Sequence, residues 1–487
     1  MSWNFDNSYA RDLPDFSVPW QLDPPPAPEL LLFNRNLAEE LGVPAAENTQ
    51  PSLQDVFAGA ALPPGAEPIA LAYAGHQFGH FSQQLGDGRA LLLGELITPE
   101  GGRFDLQLKG SGRTPFSRSG DGRSALGPAL REYLVSEAMA AMGVKTTRAL
   151  AVAKTGETVI REQSHPGAVT TRIAASHIRV GTFQFFAAHF GVGHVRQLTD
   201  YVIARHYPAL EDSENRFLAL LEAVMDAQID LVASWVGLGF VHGVMNTDNV
   251  AISGETLDYG PCAFLDVYSA SAKFSSIDRN GRYAFGNQPN ICQWNMAQFA
   301  SAMAANIQAV NEGDLEKAEQ LLASFPQRYE AAWLKIMRRK LGMIDARGGD
   351  AELINRLFAA MEGQQVDHTG LFRRLMEVPD AGPNRAADLF ADPAVIRPWI
   401  DDWLARIGGK SSFAGNSLAP MAGANPVYVP RNHKVEEALA AAEQGDMAPF
   451  KLLLDAVTNP FDAREEWAEF AGRAPDSFGP YVTFCGT

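Results

Sequence analysis

The chain has 487 residues, 46% of them hydrophobic and 20% charged, the proportions of a globular protein with material for a large core. Its 57 acidic against 40 basic side chains leave a net charge of -17, which excludes a general binder of nucleic acid or anionic membrane, because phosphate-rich surfaces recruit clustered Lys and Arg. Three cysteines without metal spacing, an acidic start and no run near the roughly 18 apolar residues of a membrane span make a reducing cytoplasm the expected compartment.

Residues 1–60 are rich in proline, including Pro24, Pro25 and Pro26, and read as an irregular arm with one short helix near 31–41, packed on the body. From 61 to 180 the texture is that of short strands, at 69–81, 89–96 and 104–109, with turns at Gly86-Asp87-Gly88 and Glu100-Gly101-Gly102. Phe104, Leu106 and Leu108 alternate with Asp105, Gln107 and Lys109, so Lys109 points away from the packed face. The stretch GSGRTPFSRSGDGRSALG that follows is too rich in glycine, serine and arginine for a core. Basic residues collect between Lys109 and Arg179, compatible with one small polyanion held in a basic pocket. A helix is predicted over 128–142, with Leu130, Leu134, Ala138 and Met142 on one side and Glu132 on another face of its first turn. Further strands are expected at 149–153, 158–161 and 168–173.

Residues 181–430 are mainly helical, with candidates at 183–190, 195–207, 215–236, 293–307, 315–341, 351–361 and 396–407. A last helix at 435–454 falls in the segment 431–487. The plan is α+β. Early in the helical part lies FVHGVMNTDNVAISGETLDYGPCAFLD, residues 240–266. Ser253 and Gly254 suit a tight hairpin turn between a strand at 250–252 and one entered at Leu257. Pairing Ile252 with Glu255 would set Asn249 opposite Asp258, at a Cβ separation of about 5 Å, close enough for the amide and the carboxylate to share one hard cation.

A strand lysine, a helix glutamate, a histidine-led loop ending in asparagine and an Asp-aromatic-Gly triplet follow one another as in a protein kinase. Lys109, Glu132, His242, Asn249 and Asp258-Tyr259-Gly260 take those places. In that register Val244 stands where the catalytic aspartate belongs. Valine cannot accept a proton, and the nearest replacement is Asp248. Together with YAGHQFGHF, GDGR, QLKGSGRTPFSRSGDGR, FVHGVMNTDN, DYGPCAFLD and NPVYVPRN, this order closely resembles the selenoprotein O, or YdiU, family of protein adenylyltransferases over nearly the whole chain.

The resemblance implies a protein-kinase-like bilobal fold, with a nucleotide-binding N-lobe at 61–180, a helical C-lobe at 181–430 and a helix and tail at 431–487. It implies ATP bound in reversed orientation and AMP, rather than phosphate, passed to Ser, Thr or Tyr hydroxyls of proteins, the enzyme itself included. Asp248 matches the proton acceptor, and Asn249 and Asp258 match ligands of Mg2+ or Mn2+. Lys109, Arg172 and Arg179 match phosphate contacts, with Glu132 orienting the lysine. Gly86, Gly88, Arg89, Asp121 and Gly122 match nucleotide-loop positions, and Asp258 also faces the nucleotide.

Each assignment has a plainer counterpart. Asp248 could cap its own loop, Asn249 and Asp258 could be a hydrogen-bonded hairpin pair, and GDG could be only a turn. His242 reads as a structural histidine, and His76 and His80 as scaffold. Cys485 stands where eukaryotic relatives carry selenocysteine. Two rival functions remain open: a phosphotransferase using Asp248 as a displaced base, and an inactive ATP-binding pseudokinase scaffold. The choice between ATP and UTP, and with it uridylyl transfer, also stays open.

Overall fold

Alternating apolar residues in the first 174 positions build one antiparallel sheet, seen in a computed structural model that describes residues 3–44, 50–409 and 416–483. Its strands are β1 (Ser17–Pro19), β2 (Glu29–Phe33), β3 (Ile69–Leu71), β6 (Ala90–Ile97), β7 (Arg103–Lys109), β8 (Ser124–Ala125), β9 (Arg148–Ile160) and β10 (Ser164–Ala174). They run in the order β1-β3-β6-β7-β10-β9-β2, with β8 on β10. A separate two-stranded ribbon joins β4 (Gly75–Gln77) to β5 (His80–Ser82).

The proline-rich arm is less irregular than its composition suggests. It supplies both edge strands, β1 against β3 and β2 against β9. The helix expected near 31–41 is instead β2 followed by a short helix, Arg35–Glu40, whose first turn is capped by Asn34 accepting the Leu37 N–H. The strand expected over 69–81 is broken as well. Phe78 and Gly79 both have positive φ, 52° and 88°, and form the two-residue turn of the β4–β5 ribbon. The two strands expected at 149–153 and 158–161 are one continuous β9.

The polar side of β7 is not a solvent face. Asp105 and Gln107 are buried, and Asp105 pairs with Arg205 at 2.6 Å and His177 at 2.9 Å. Leu106 and Leu108 point into the main apolar core, which continues through the helices Val180–His189, Val192–His206, Arg216–Leu238 and Gln288–Val310. The 23-residue helix Arg216–Leu238 starts at Asn215, which caps Leu218, and stops at Gly239 in the left-handed conformation that only glycine adopts freely.

Two long helical predictions are each split. The 315–341 segment breaks at Ser324 ahead of Pro326, and the 435–454 segment breaks near Gly445, giving Asn432–Glu443 and Ala448–Thr458. This last pair covers the helix Leu126–Ala141, packing Leu439, Phe450 and Leu453 with Leu130 and Leu134. That cover explains why a helix with little amphipathic character is buried on nearly every side. Among the described residues, no helix is long and apolar enough to cross a membrane.

Candidate nucleotide and metal site

Four charges meet where the sheet faces the helical part. Arg172 pairs with Gln107, and Thr170 with Lys109, across the β10–β7 ladder, so Lys109 and Arg172 are diagonal neighbours on one face. Glu132 reaches between them from the helix Leu126–Ala141: one oxygen takes Lys109 Nζ at 2.6 Å, and the other takes Arg172 Nε and Nη2 at 2.9 and 2.6 Å. Asp258 completes the cluster, 2.8 Å from Lys109 Nζ and 3.7 Å from Arg172. Burial alone would raise both carboxyls, but Arg172 and Lys109 hold Glu132 below its usual range and Lys109 and Arg172 hold Asp258 well below it. Two positive and two negative groups thus balance inside the fold.

The two glycine-rich loops clasp each other beside this cluster. Asp87 is buried between Gly86 and Gly88, and its carbonyl accepts Thr114 Oγ1 at 2.6 Å while Ser117 donates to the Gly88 carbonyl. A side chain at Gly86 would strike the Phe116 ring, with Cδ2 at 2.8 Å, and one at Gly122 would meet Arg113 N at 2.5 Å. The glycines are therefore required by loop-on-loop contact whether or not a ligand is present. Asp121 lies at the surface, tied to Arg161 at 2.8 Å. Arg89 is half-buried, its side chain makes no hydrogen bond or ion pair among the described residues, and its charge acts on Asp258.

The 240–266 stretch departs from the expected hairpin by one residue. Val250 bridges Thr256 rather than Leu257, because the turn spans Ala251 to Gly254 and distant segments supply the pairing. Ile252 N–H donates to Ile178 O and Val180 N–H to Val250 O, each at 2.9 Å. Asp258 consequently turns to Lys109 and Arg172 instead of facing Asn249 across a ladder. Asn249 donates its Nδ2 to Val244 O at 2.9 Å, which leaves its Oδ1 free, as Asp258 Oδ2 is free, among the described residues. An amide oxygen and a carboxylate oxygen are donor types that a hard cation takes. Among the described residues, no three His, Cys, Asp or Glu side chains converge into a closed cage, and a cation that keeps phosphate and water ligands needs none.

Asp248 sits in a short 3-10 turn, Thr247–Asn249, and is 8% exposed. Its Oδ1 is buried without a hydrogen-bond partner among the described residues. Burial pushes the carboxyl up to about 6, against the opposing pull of Arg179 and Gln77. Arg179 donates to Asp248 O at 3.1 Å and to His177 O at 3.1 Å, lies over the Tyr73 ring at 4.1 Å and approaches Asp87 to 3.9 Å.

The β4–β5 ribbon, whose His76 and His80 were expected to be scaffold, rests directly on this loop. His76 N–H donates to Thr247 Oγ1 at 2.7 Å, and Phe78 N–H to Asn246 Oδ1 at 3.0 Å. A side chain at Gly75 would collide with the Asp248 carboxylate, whose Cγ lies 2.8 Å from the Cβ position. The sequence signal was there, in a glycine beside Ala74 inside YAGHQFGHF, and it marks close backbone approach. His76 itself contacts Gln184 at 2.9 Å. His242 is buried and accepts the Val244 N–H, and burial lowers it to about 4, as befits a structural histidine. Cys262 and Cys292 are free and buried, with both thiols pushed up by burial; Cys485 lies outside the described residues.

A family model described as Protein adenylyltransferase SelO matches residues 1–458. A Protein nucleotidyltransferase YdiU from Sphingopyxis alaskensis is 56% identical over 487 residues, covering 100% of both chains. Proteins of the same name from Cereibacter sphaeroides and Rhizobium rhizogenes are 54% and 49% identical, covering 100% and 99% of this chain and 100% and 97% of their own. The chain therefore belongs to the SelO family of protein adenylyltransferases, enzymes of nucleotidyl transfer.

Proposed function

We propose that this chain transfers AMP from ATP to Ser, Thr or Tyr hydroxyls of other proteins and of itself, releasing pyrophosphate, in the cytoplasm. The observation that carries the proposal is Asp248: a buried carboxylate with one unpartnered oxygen, next to Asn249, in a loop whose usual base position holds Val244. The scaffold in this reading is a kinase-like bilobal one, with residues 61–180 binding nucleotide, 181–430 supplying the loop and cation ligands, and 431–487 bracing from outside.

ATP lies reversed relative to kinases. Lys109, Arg172 and Arg179 draw the β- and γ-phosphates inward, Glu132 fixes Lys109 and Arg172, and Arg89 supplies a further unpaired cation. Gly86, Gly88, Asp121 and Gly122 shape the loops over the nucleotide. The α-phosphorus then faces Asp248. Asp248 Oδ1 takes the proton of the acceptor hydroxyl as its oxygen bonds to the α-phosphorus, and the bond from that phosphorus to the β-bridging oxygen breaks. AMP stays on the acceptor and pyrophosphate leaves. Asn249 and Asp258 would hold Mg2+ or Mn2+, which when bound neutralises phosphate charge.

Intact-mass measurement after incubation with ATP and either cation tests the reading. An AMP adduct on the chain or an acceptor supports it. A phosphate adduct would favour phosphotransfer by Asp248, and nucleotide binding without any adduct would favour a scaffold. The same assay with UTP reads uridylyl transfer.

A further inference from the structure

Arg282 is a half-buried cation with no acidic side chain paired to its guanidinium among the described residues. Its Nε and Nη2 are buried, yet neither has a hydrogen-bond partner among the described residues. The guanidinium is held by aromatic faces, 4.6 Å from the Trp294 ring centre and 5.7 Å from that of Tyr283. Asp278 is the sole acidic side chain between 267 and 285, and it is spent on backbone, accepting the Arg282 and Tyr283 N–H groups at 2.9 and 2.8 Å. The same segment also carries Lys273, whose Nζ donates to the carbonyls of Asp278 and Arg279, and Arg279, so this loop is locally basic in a protein of net charge -17.

That loop is coupled to the proton acceptor by two routes. Tyr283 donates its hydroxyl to Asn246 Oδ1 at 2.6 Å, two residues before Asp248. The β4–β5 ribbon spans the gap from its other side, with Gly75 against Asp248 and the turn residue Gly79 about 3.7 Å, at its Cβ position, from the Arg282 guanidinium. From Gly75 to the turn is roughly 10 Å, three residues of extended chain at about 3.3 Å each. Phe81 of the ribbon is 41% exposed beside this path and offers an apolar surface.

Resting on the adenylyl-transfer reading, we propose that Arg282 docks the acceptor protein by pairing with an Asp or Glu about three residues from the modified hydroxyl. The partner is an acidic segment, because a half-buried guanidinium with no carboxylate of its own gains most from one supplied by the incoming chain. Arg282 is a positioning residue: it touches neither the reacting hydroxyl nor the nucleotide.

The test uses the full chain, ATP, Mn2+ and synthetic peptides with one serine and either Glu or Gln three residues to each side. The expected kcat/KM is about tenfold higher for the Glu peptides, the size of one charge-assisted hydrogen bond. In Arg282→Gln that ratio should fall to about one, and Arg282→Glu should favour Lys peptides instead, with ATP affinity and melting temperature recorded for both variants. AMP adducts formed equally on Glu and Gln peptides by the wild type, or an equal drop on both in Arg282→Gln, would overturn the docking and leave adenylyl transfer standing. No adduct on any peptide while ATP binds would overturn the transfer reading and the docking with it.

Discussion

The cluster around Lys109 and the corner around Asp248 handle buried charge in opposite ways. In the cluster, Lys109, Glu132, Arg172 and Asp258 all have partners within 3.7 Å, and the carboxyls are held low. At the corner, Asp248 is as deeply buried, keeps one oxygen unpartnered and sits near 6. Pairing fixes a charge in place and fixes its protonation. Withholding a partner leaves a carboxylate whose proton affinity suits transfer near neutral pH. On the proposed reading, one region would hold the phosphates and the other would move the proton.

The sharpest way to break this division is to remove one carboxylate from each side. Asp248→Asn should cut AMP transfer by about 10²- to 10⁴-fold while ATP still binds, whereas Asp258→Ala should abolish transfer and weaken ATP and cation binding too. Single-turnover rates beside nucleotide titrations separate the two; equal binding losses would collapse the contrast. Next, Glu132→Ala should cost about 3–5 kcal/mol in urea unfolding, because it strips the shared partner from Lys109 and Arg172. A loss below about 1 kcal/mol would mean that the cluster does not depend on pairing.

The pH dependence should follow. Asp248 has a raised value in the folded state, about 6 against 3.8 for the free side chain, so the folded chain binds the extra proton between those values. Its burial therefore costs stability above pH 6, up to about 3 kcal/mol at 1.36 kcal/mol per unit, and that cost disappears as pH falls toward 4. Asp248→Asn should be more stable than wild type at pH 8 and lose the advantage by pH 4, while wild-type kcat/KM declines below about pH 6. The smallest expected effect is Gly75→Ala, about tenfold on transfer, less than the roughly 10²-fold of a full ångström of misplacement. Unchanged transfer in that variant would remove the ribbon from the positioning of Asp248.

Local periodicity made much of this visible beforehand. The two-residue alternation through Lys109 and the four-residue spacing beside Glu132 foretold a strand and a helix that do meet. What stayed hidden depends on distant chain. The 250–256 register is set by Ile178 and Val180, some seventy residues away in sequence, so Ser253-Gly254 could not reveal it. β2 hid in a proline-rich arm because its partner is β9. His76 and His80 read as scaffold, and nothing local showed that Gly75 beside them packs against the Asp248 carboxylate.

Position 244 shows where such information resides. Its carbonyl, not its side chain, takes the Asn249 amide and turns the other end of that amide outward. Every amino acid has that carbonyl, so the contact places no demand on which one occupies the position. On the proposed reading, an acid in place of valine there would change the proton chemistry while the same carbonyl still held Asn249. One locus thus carries two separable instructions, one written in the letter, the other written in the path of the chain.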